Sequence, residues 1–115
     1  MWNIVFYEKS NGRIPVKDFL ASLSRSQHAK AIRDIELLEQ FGTDLQMPHV
    51  KNIDGKLWEL RIKLGSDISR IFYFVHTGKN IVLLHGYVKK SNRAPKNQIE
   101  KAKKYIIDYE GREKL

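Results

Sequence analysis

Residues 56–90 read KLWELRIKLGSDISRIFYFVHTGKNIVLLHGYVKK, and this stretch decides the fold. Aromatic, β-branched and other apolar residues dominate three segments of it, 57–64, 68–76 and 81–88, and turn residues separate the segments. We therefore predict three successive strands that form a meander, with a hairpin turn at 77–80.

Alternation along these strands assigns side chains to the two faces of the sheet. In the first strand Arg61 faces away from the apolar side chains, and in the second strand Arg70 shares a face with Phe72. The third strand is almost wholly apolar, which indicates a central position covered on both faces. Strict alternation predicts that His85 and Tyr87 lie on the side of Ile81 and Leu83.

The rest of the chain predicts one further strand and three helices. Residues 2–7 suit a strand, a helix is expected to begin at Pro15, and a second begins near Ser24 or Ser26 and ends at Gly42. Residues 43–55 are interpreted as a loop, and a last helix starts at Pro95. The predicted fold is a single α+β domain over residues 1–115, in the order β-α-α-β-β-β-α, with a twisted antiparallel sheet.

Charge and composition narrow the class of function. The chain carries a net charge of +8 and a pI of about 9.8, which favours polyanionic partners. It contains no cysteine, which excludes disulfides and thiolate metal sites. We also see no secretory or membrane-spanning segment, and we expect a cytoplasmic protein.

Arg61 and Arg70 are candidate phosphate-binding residues. Strand pairing could bring the two guanidinium groups within reach of one phosphate, and each matches two phosphate oxygens. The alternative is that the arginines pair with Glu59 and Asp67 across the strands.

Other candidate catalytic residues lie on the third strand and at its end. His85 could exchange a proton near neutral pH, although a histidine among apolar neighbours is more often a core residue. Tyr87 could stack on a base or use its hydroxyl group. Lys89 and Lys90 could stabilise charge on a phosphorane, or they could be ordinary surface lysines.

Further basic residues suggest a surface that binds RNA. The residues predicted to bind RNA are Lys51, Lys56, Tyr87, Arg93 and Lys96. The four histidines are dispersed and the carboxylates are not clustered, so we predict neither a metal site nor another cofactor. RNA is a better substrate than DNA for such a site because its 2′-hydroxyl is a built-in nucleophile.

The strand motifs KLWELR (56–61), SRIFYF (69–74) and IVLLHGYVKK (81–90) resemble the RelE superfamily of toxins. Within it, the chain is most similar to the HigB-type, phage-derived branch. The N-terminal strand with its helical hairpin and the C-terminal helix also match, so the resemblance covers nearly the whole chain.

This resemblance implies a ribosome-dependent mRNA endonuclease that inhibits translation and is held inactive by an antitoxin. Arg61 and Arg70 would neutralise the phosphate, Lys89 and Lys90 would act electrostatically or in proton transfer, and His85 or Tyr87 would assist. The partner would be a helix-turn-helix antitoxin whose complex binds operator DNA. Two alternatives stay open, a non-catalytic RNA-binding or antitoxin-regulated module on the same fold, and a metal-dependent DNA nuclease, which the lack of clustered carboxylates disfavours.

Overall fold

A computed structural model describes residues 1–89 and 94–113, with the side chain of Lys89 excepted. The elements along the chain are β1 (Asn3–Phe6), α1 (Pro15–Ser22), α2 (Arg25–Phe41), a short 3-10 helix (Gly42–Asp44), β2 (Val50–Asp54), β3 (Leu57–Leu64), β4 (Asp67–His76), β5 (Asn80–Lys89) and α3 (Lys96–Glu113). No helix in the described ranges combines the length and the apolar character needed to cross a bilayer.

The strands form one sheet in the order β1-β5-β4-β3-β2. β3 to β5 form the antiparallel meander that the sequence predicts, and β2 adds to β3 in antiparallel fashion, but β1 runs parallel to β5. The sheet is therefore mixed, and the prediction of a purely antiparallel sheet was wrong. The predicted loop 43–55 was also wrong in part, because it contains the edge strand β2, whose five residues are mostly exposed and polar.

Each face of the sheet carries its own apolar core. Helices α1 and α2 cover one face, where Val16, Leu38 and Leu60 are fully buried. Helix α3 covers the other face, where Ala102 and Ile106 pack over a cluster that includes Phe72 and Phe74. The apolar character of β5 follows from this arrangement, since a central strand buries both of its sides.

Local signals in the sequence fix the ends of α2. The hydroxyl oxygen of Ser24 accepts a hydrogen bond from the Gln27 N–H, and the Gln27 side chain accepts one from the Ser24 N–H, which is a capping box. At the other end Gly42 has a φ of +52°, and a Cβ there would lie 2.1 Å from the Trp2 ring. Both predicted ends are confirmed.

A β-bulge in β5 changes the faces that alternation predicts. Phe72 is opposite His85 and Tyr73 is opposite Leu83, so Leu84 is the extra residue. The bulge turns His85 and Tyr87 to the α3 face, whereas Leu83 stays in the core beneath α1 and α2. The prediction that His85 and Tyr87 share a side with Leu83 was therefore wrong.

Candidate functional site

Three predicted site residues lie side by side across the centre of the sheet. Arg61 on β3 is directly opposite Arg70 on β4, and Arg70 is directly opposite Tyr87 on β5. All three side chains lie on the face of the sheet that α3 covers. Arg61 lies there because its neighbours along β3 are core residues of the other face, and Tyr87 lies there because the bulge in β5 turns its side chain to this face. We call these three residues, together with Glu59, the arginine cluster.

Glu59 holds the arginine cluster together. Its Oε1 accepts a hydrogen bond of 2.5 Å from Nη1 of Arg70, and its Oε2 accepts one of 3.1 Å from the Tyr87 hydroxyl. Arg70 is 3% exposed and Glu59 is 0% exposed, so this ion pair lies out of contact with water. Of the pairings considered from sequence, Glu59 pairs with Arg70 rather than Arg61, and Asp67 accepts from Gln27 instead.

Positive charge exceeds negative charge within the arginine cluster. Two guanidinium groups occupy facing positions, and one carboxylate lies beside them. The Nε–H groups of Arg61 and Arg70 are both buried, and neither finds a hydrogen-bond acceptor among the described residues. Like charges at facing positions destabilise a sheet, and unsatisfied buried donors cost free energy. An anion that reached both Nε–H groups would relieve both penalties, but both atoms are buried, so these side chains would first have to move and open a path to them.

The row of arginines continues to His49 at the edge of the sheet. The backbone N–H of Arg61 donates a 2.8 Å hydrogen bond to the His49 carbonyl, which extends the β2–β3 register by one residue. Val50 is buried in the core beneath α1 and α2, so alternation assigns its neighbour His49 to the face of Arg61. His49 is exposed. Sequence analysis did not assign His49 to the site, because residues 43–55 were interpreted as a loop.

Tyr87 is built into the interior. It is 8% exposed, and its ring centroid lies 5.4 Å from that of Phe72. Burial, followed by the neighbouring Glu59 carboxylate, raises the pKa of the Tyr87 hydroxyl above its ordinary value. Tyr87 therefore donates a hydrogen bond to Glu59 in this arrangement, and stacking on an RNA base, as predicted, would require the ring to become exposed.

His85 lies on the neighbouring row, opposite Phe72. It is 3% exposed, and its Nε2 is 3.1 Å from the carbonyl oxygen of Gln98 on α3. A carbonyl only accepts, so Nε2 carries the proton and the neutral ring keeps its lone pair on Nδ1. Burial lowers the pKa of His85 to about 4, with a smaller contribution from Lys101. Proton exchange by His85 near neutral pH is therefore disfavoured, since its imidazole is neutral and weakly basic there.

A model of the family described as phage-derived protein Gp49-like (DUF891) matches residues 18–106, which is more than half of the chain. The chain belongs to this family. The matched segment runs from α1 into α3 and contains the whole arginine cluster. A comparison with curated proteins finds no match.

In this Gp49-like chain, the lysines that were predicted to bind RNA lie farther apart than Arg61 and Arg70 do. Lys51 is exposed and lies opposite Glu59, so it extends the site towards the sheet edge. Lys96 is the exposed first residue of α3. Lys56 instead forms a 2.8 Å ion pair with Glu110. Along α3, Glu110 lies three turns, or roughly 18 Å, beyond Gln98, the α3 residue that contacts His85.

The end of β5 is described only in part. The Lys89 backbone lies opposite Ile68 in the register. Lys90 and Arg93, which were predicted to act in catalysis and RNA binding, lie outside the described residues. Across residues 1–89 and 94–113, no group of three or more His, Cys, Asp or Glu side chains is arranged to hold a metal ion.

Proposed function

We propose that this Gp49-like protein is the toxin of a type II toxin–antitoxin system. In this proposal it is a HigB-type member of the RelE superfamily that works in the cytoplasm and cleaves mRNA on the ribosome, thereby inhibiting translation. Membership of the phage-derived family supports the toxin assignment, together with the strand motifs that resemble the RelE superfamily. The net charge of +8 supports an RNA substrate.

One observation carries the assignment of an RNA-cleaving site. Arg61 and Arg70 face each other on paired strands, only Arg70 is paired with a carboxylate, and each keeps a buried Nε–H without an acceptor among the described residues. Guanidinium groups stay charged at any working pH and match the oxygens of a phosphodiester. A phosphate seated against these two N–H groups would supply the missing negative charge.

The proposed reaction is attack of a ribose 2′-oxygen on the adjacent phosphorus. The 2′-oxygen–phosphorus bond forms and the bond from phosphorus to the 5′-oxygen breaks, which gives a cyclic phosphate and a 5′-hydroxyl. Negative charge grows on the phosphoryl oxygens during this step, and Arg61 and Arg70 would stabilise it without a divalent metal. Positioning of the message by the ribosome would supply much of the remaining rate enhancement.

His49 is the proton-transfer residue in this proposal. It is exposed next to Arg61, and a histidine ring can both accept the 2′-hydroxyl proton and protonate the leaving 5′-oxygen. Glu59 is less suited to the role, because both of its oxygens already accept hydrogen bonds from Arg70 and Tyr87.

A second candidate is a non-catalytic, antitoxin-regulated RNA-binding module on the same fold. The engagement of Glu59, Tyr87 and His85 in internal hydrogen bonds favours it, since the two groups expected to assist catalysis, His85 and Tyr87, and the Glu59 carboxylate beside them are already satisfied. In either case the proposed partner is a small helix-turn-helix antitoxin whose complex with this chain binds operator DNA. Growth arrest on expression, relieved by the neighbouring reading frame, would support that partner, and arrest that persists would contradict it.

The test is translation in an extract with purified protein, followed by primer extension on the message. Wild type is expected to cut the message, and Arg61→Ala to lose roughly a hundredfold or more in rate, since a stabiliser of transition-state charge is removed. The control is Arg33→Ala, an exposed arginine on α2, which is expected to cut normally. An intact message under saturating wild-type protein would leave only the non-catalytic module.

His49→Gln separates proton transfer from phosphate binding. The variant is expected to cut the message roughly a hundredfold or more slowly, while it still protects the bound message from added nuclease. Cleavage by His49→Gln at the wild-type rate would remove His49 from the reaction.

A further inference from the structure

A polar cavity lies at the edge of β5, outside the arginine cluster. β1 pairs with β5 along Asn3–Phe6, so among the described residues β5 has no strand neighbour on that side beyond Leu83. A cavity of about 350 Å³ occupies this position between α1 and α3. We call it the β5 pocket, and its polar and aromatic lining includes Lys9, Arg13, Asp18, His85, Lys101 and Tyr105.

Ordered elements build the walls of the β5 pocket. Backbone hydrogen bonds of 2.8 and 2.9 Å close the turn between Lys9 and Arg13. On the sheet side Gly86 lets the Phe19 ring of α1 approach so closely that a Cβ on residue 86 would lie 2.4 Å from that ring. On the α3 side Tyr105 stacks on Tyr7 with ring centroids 4.6 Å apart.

The charge of the β5 pocket selects for an anion. Three cations line it, Lys9, Arg13 and Lys101, against one carboxylate, Asp18. Asp18 accepts hydrogen bonds of 3.2 and 3.0 Å from Arg13, so it neutralises only that residue. The two lysines form no ion pair with a described residue. A ligand with a phosphate group would match this surplus.

His85 connects the β5 pocket to the arginine cluster. It lines the pocket, and its ring centroid lies 6.5 Å from that of Tyr87 in the cluster. Neighbouring strands lie about 4.8 Å apart, so one short oligonucleotide is long enough to span from the pocket wall on β5 to Arg70 on β4 once the buried Arg70 side chain becomes exposed. An acidic peptide could also satisfy the lysines, but the proximity of the arginine cluster favours RNA.

We propose that the β5 pocket binds a nucleotide of the same RNA strand whose neighbouring phosphodiester occupies the arginine cluster. The inference rests on the proposed function and adds a substrate subsite to it. Lys9, Lys101 and Arg13 contact the phosphate of that nucleotide, and the rings that line the pocket, Phe19 and Tyr105, contact its base.

The test is fluorescence anisotropy with a short, labelled 2′-O-methyl RNA of mixed sequence, which can bind but lacks the attacking hydroxyl. Lys101→Ala is compared with Lys104→Ala, which removes an equal charge from an exposed position of the same helix that does not line the pocket. Lys101→Ala is expected to weaken binding about tenfold and to lower the salt slope by about 0.7, and Lys104→Ala to do neither.

A second pair of variants tests the opposite change, an increase in RNA affinity. Asp18→Asn removes the pocket carboxylate and releases Arg13, so we expect RNA to bind roughly threefold more tightly. Asp44→Asn, an exposed carboxylate outside the pocket, raises the net charge equally and is expected to have little effect. Equal behaviour within both pairs would overturn the subsite, because net charge alone would then explain binding.

Two further comparisons distinguish failure of the RNA subsite from failure of the endonuclease proposal. A labelled polyglutamate peptide that binds more tightly than RNA, with the same dependence on Lys101, would overturn the proposal in favour of an acidic protein partner. If wild type cuts no message in the translation extract while Lys101 still controls RNA binding, the endonuclease proposal fails and the RNA subsite stands. If cleavage depends on Arg61 and RNA binding ignores Lys101, the subsite alone fails.

Discussion

The arginine cluster and the β5 pocket both gather positive charge, but the sheet buries the first and leaves the second open. In the cluster, the side chains of Arg70 and Glu59 are 3% and 0% exposed. In the pocket, those of the equivalent pair, Arg13 and Asp18, are 68% and 54% exposed. A guanidinium group and a carboxylate therefore form an ion pair in the protein interior in one case and in contact with water in the other.

This difference in exposure changes what each ion pair does. Water screens the exposed pair, so it contributes little to stability and can exchange partners at small cost. The buried pair is coupled to folding, because removal of one partner leaves an uncompensated charge in the interior. We therefore expect the β5 pocket to tune RNA affinity, and the arginine cluster to combine phosphate binding with the stability of the sheet.

The largest expected effect comes from removal of the buried carboxylate. Glu59→Gln leaves Arg70 without its counter-charge beside Arg61, and we expect the free energy of unfolding to fall by about 3–5 kcal/mol. Asp18→Asn makes the matched change in the exposed pair and is expected to alter it by less than about 1 kcal/mol. Urea denaturation of both variants measures the contrast, and equal effects would contradict it.

The buried pair also limits which arginine can be tested by activity. Arg70→Ala leaves Glu59 buried without its guanidinium and is expected to destabilise the fold. The double variant Glu59→Gln/Arg70→Met removes both charges and is expected to recover most of the stability lost by Glu59→Gln. Additive losses in the double variant would show that the two side chains are not coupled.

A smaller effect is expected from acid, through His85, which lines the β5 pocket beside the arginine cluster. The folded chain takes up the His85 proton at a pKa of about 4 and the unfolded chain at about 6.5, so stability falls as the pH drops from 6.5 to 4. The loss is expected to reach about 3 kcal/mol at the acid end and to be absent above this range. Urea midpoints of wild type and His85→Asn across this range measure it, and parallel pH profiles would contradict it.

The smallest effect concerns the wall of the β5 pocket. Gly86→Ala forces a Cβ against the Phe19 ring and is expected to cost about 1–3 kcal/mol of stability. Gly111→Ala has no atom within 4 Å of its new Cβ and lies in α3, so it is expected to stabilise by about 0.5–1 kcal/mol. Thermal melts distinguish the two signs, and a stabilising Gly86→Ala would contradict the close packing of α1 on β5.

The sequence predicts the elements of this fold better than the contacts of its site. Alternation in 57–64 and 68–76 places Arg61 and Arg70 on one face, and Ser24 and Gly42 mark the ends of α2. The bulge at Leu84 is not predictable, because an apolar strand covered on both faces has no polar positions that reveal a shift of one residue. That single residue decides whether Tyr87 reaches Glu59.

Other features of the site depend on tertiary contacts that no local pattern encodes. The edge strand β2 is short and polar, so its propensity is weak, and with it His49 was missed as a neighbour of Arg61. Lys9 and Lys101 are far apart in sequence and meet only because α1, β5 and α3 converge at the sheet edge. The net charge of the chain predicts a polyanionic partner, but it does not predict where that partner binds.

The most direct test is to observe the two buried Nε–H groups while RNA binds. In ¹⁵N NMR spectra of arginine side chains, titration with the 2′-O-methyl RNA is expected to shift the Nε–H signals of Arg61 and Arg70 and to slow their exchange with water. Arg61→Lys assigns one of the two signals. If RNA binds and both Nε–H signals stay unchanged, the arginine cluster does not hold the phosphate.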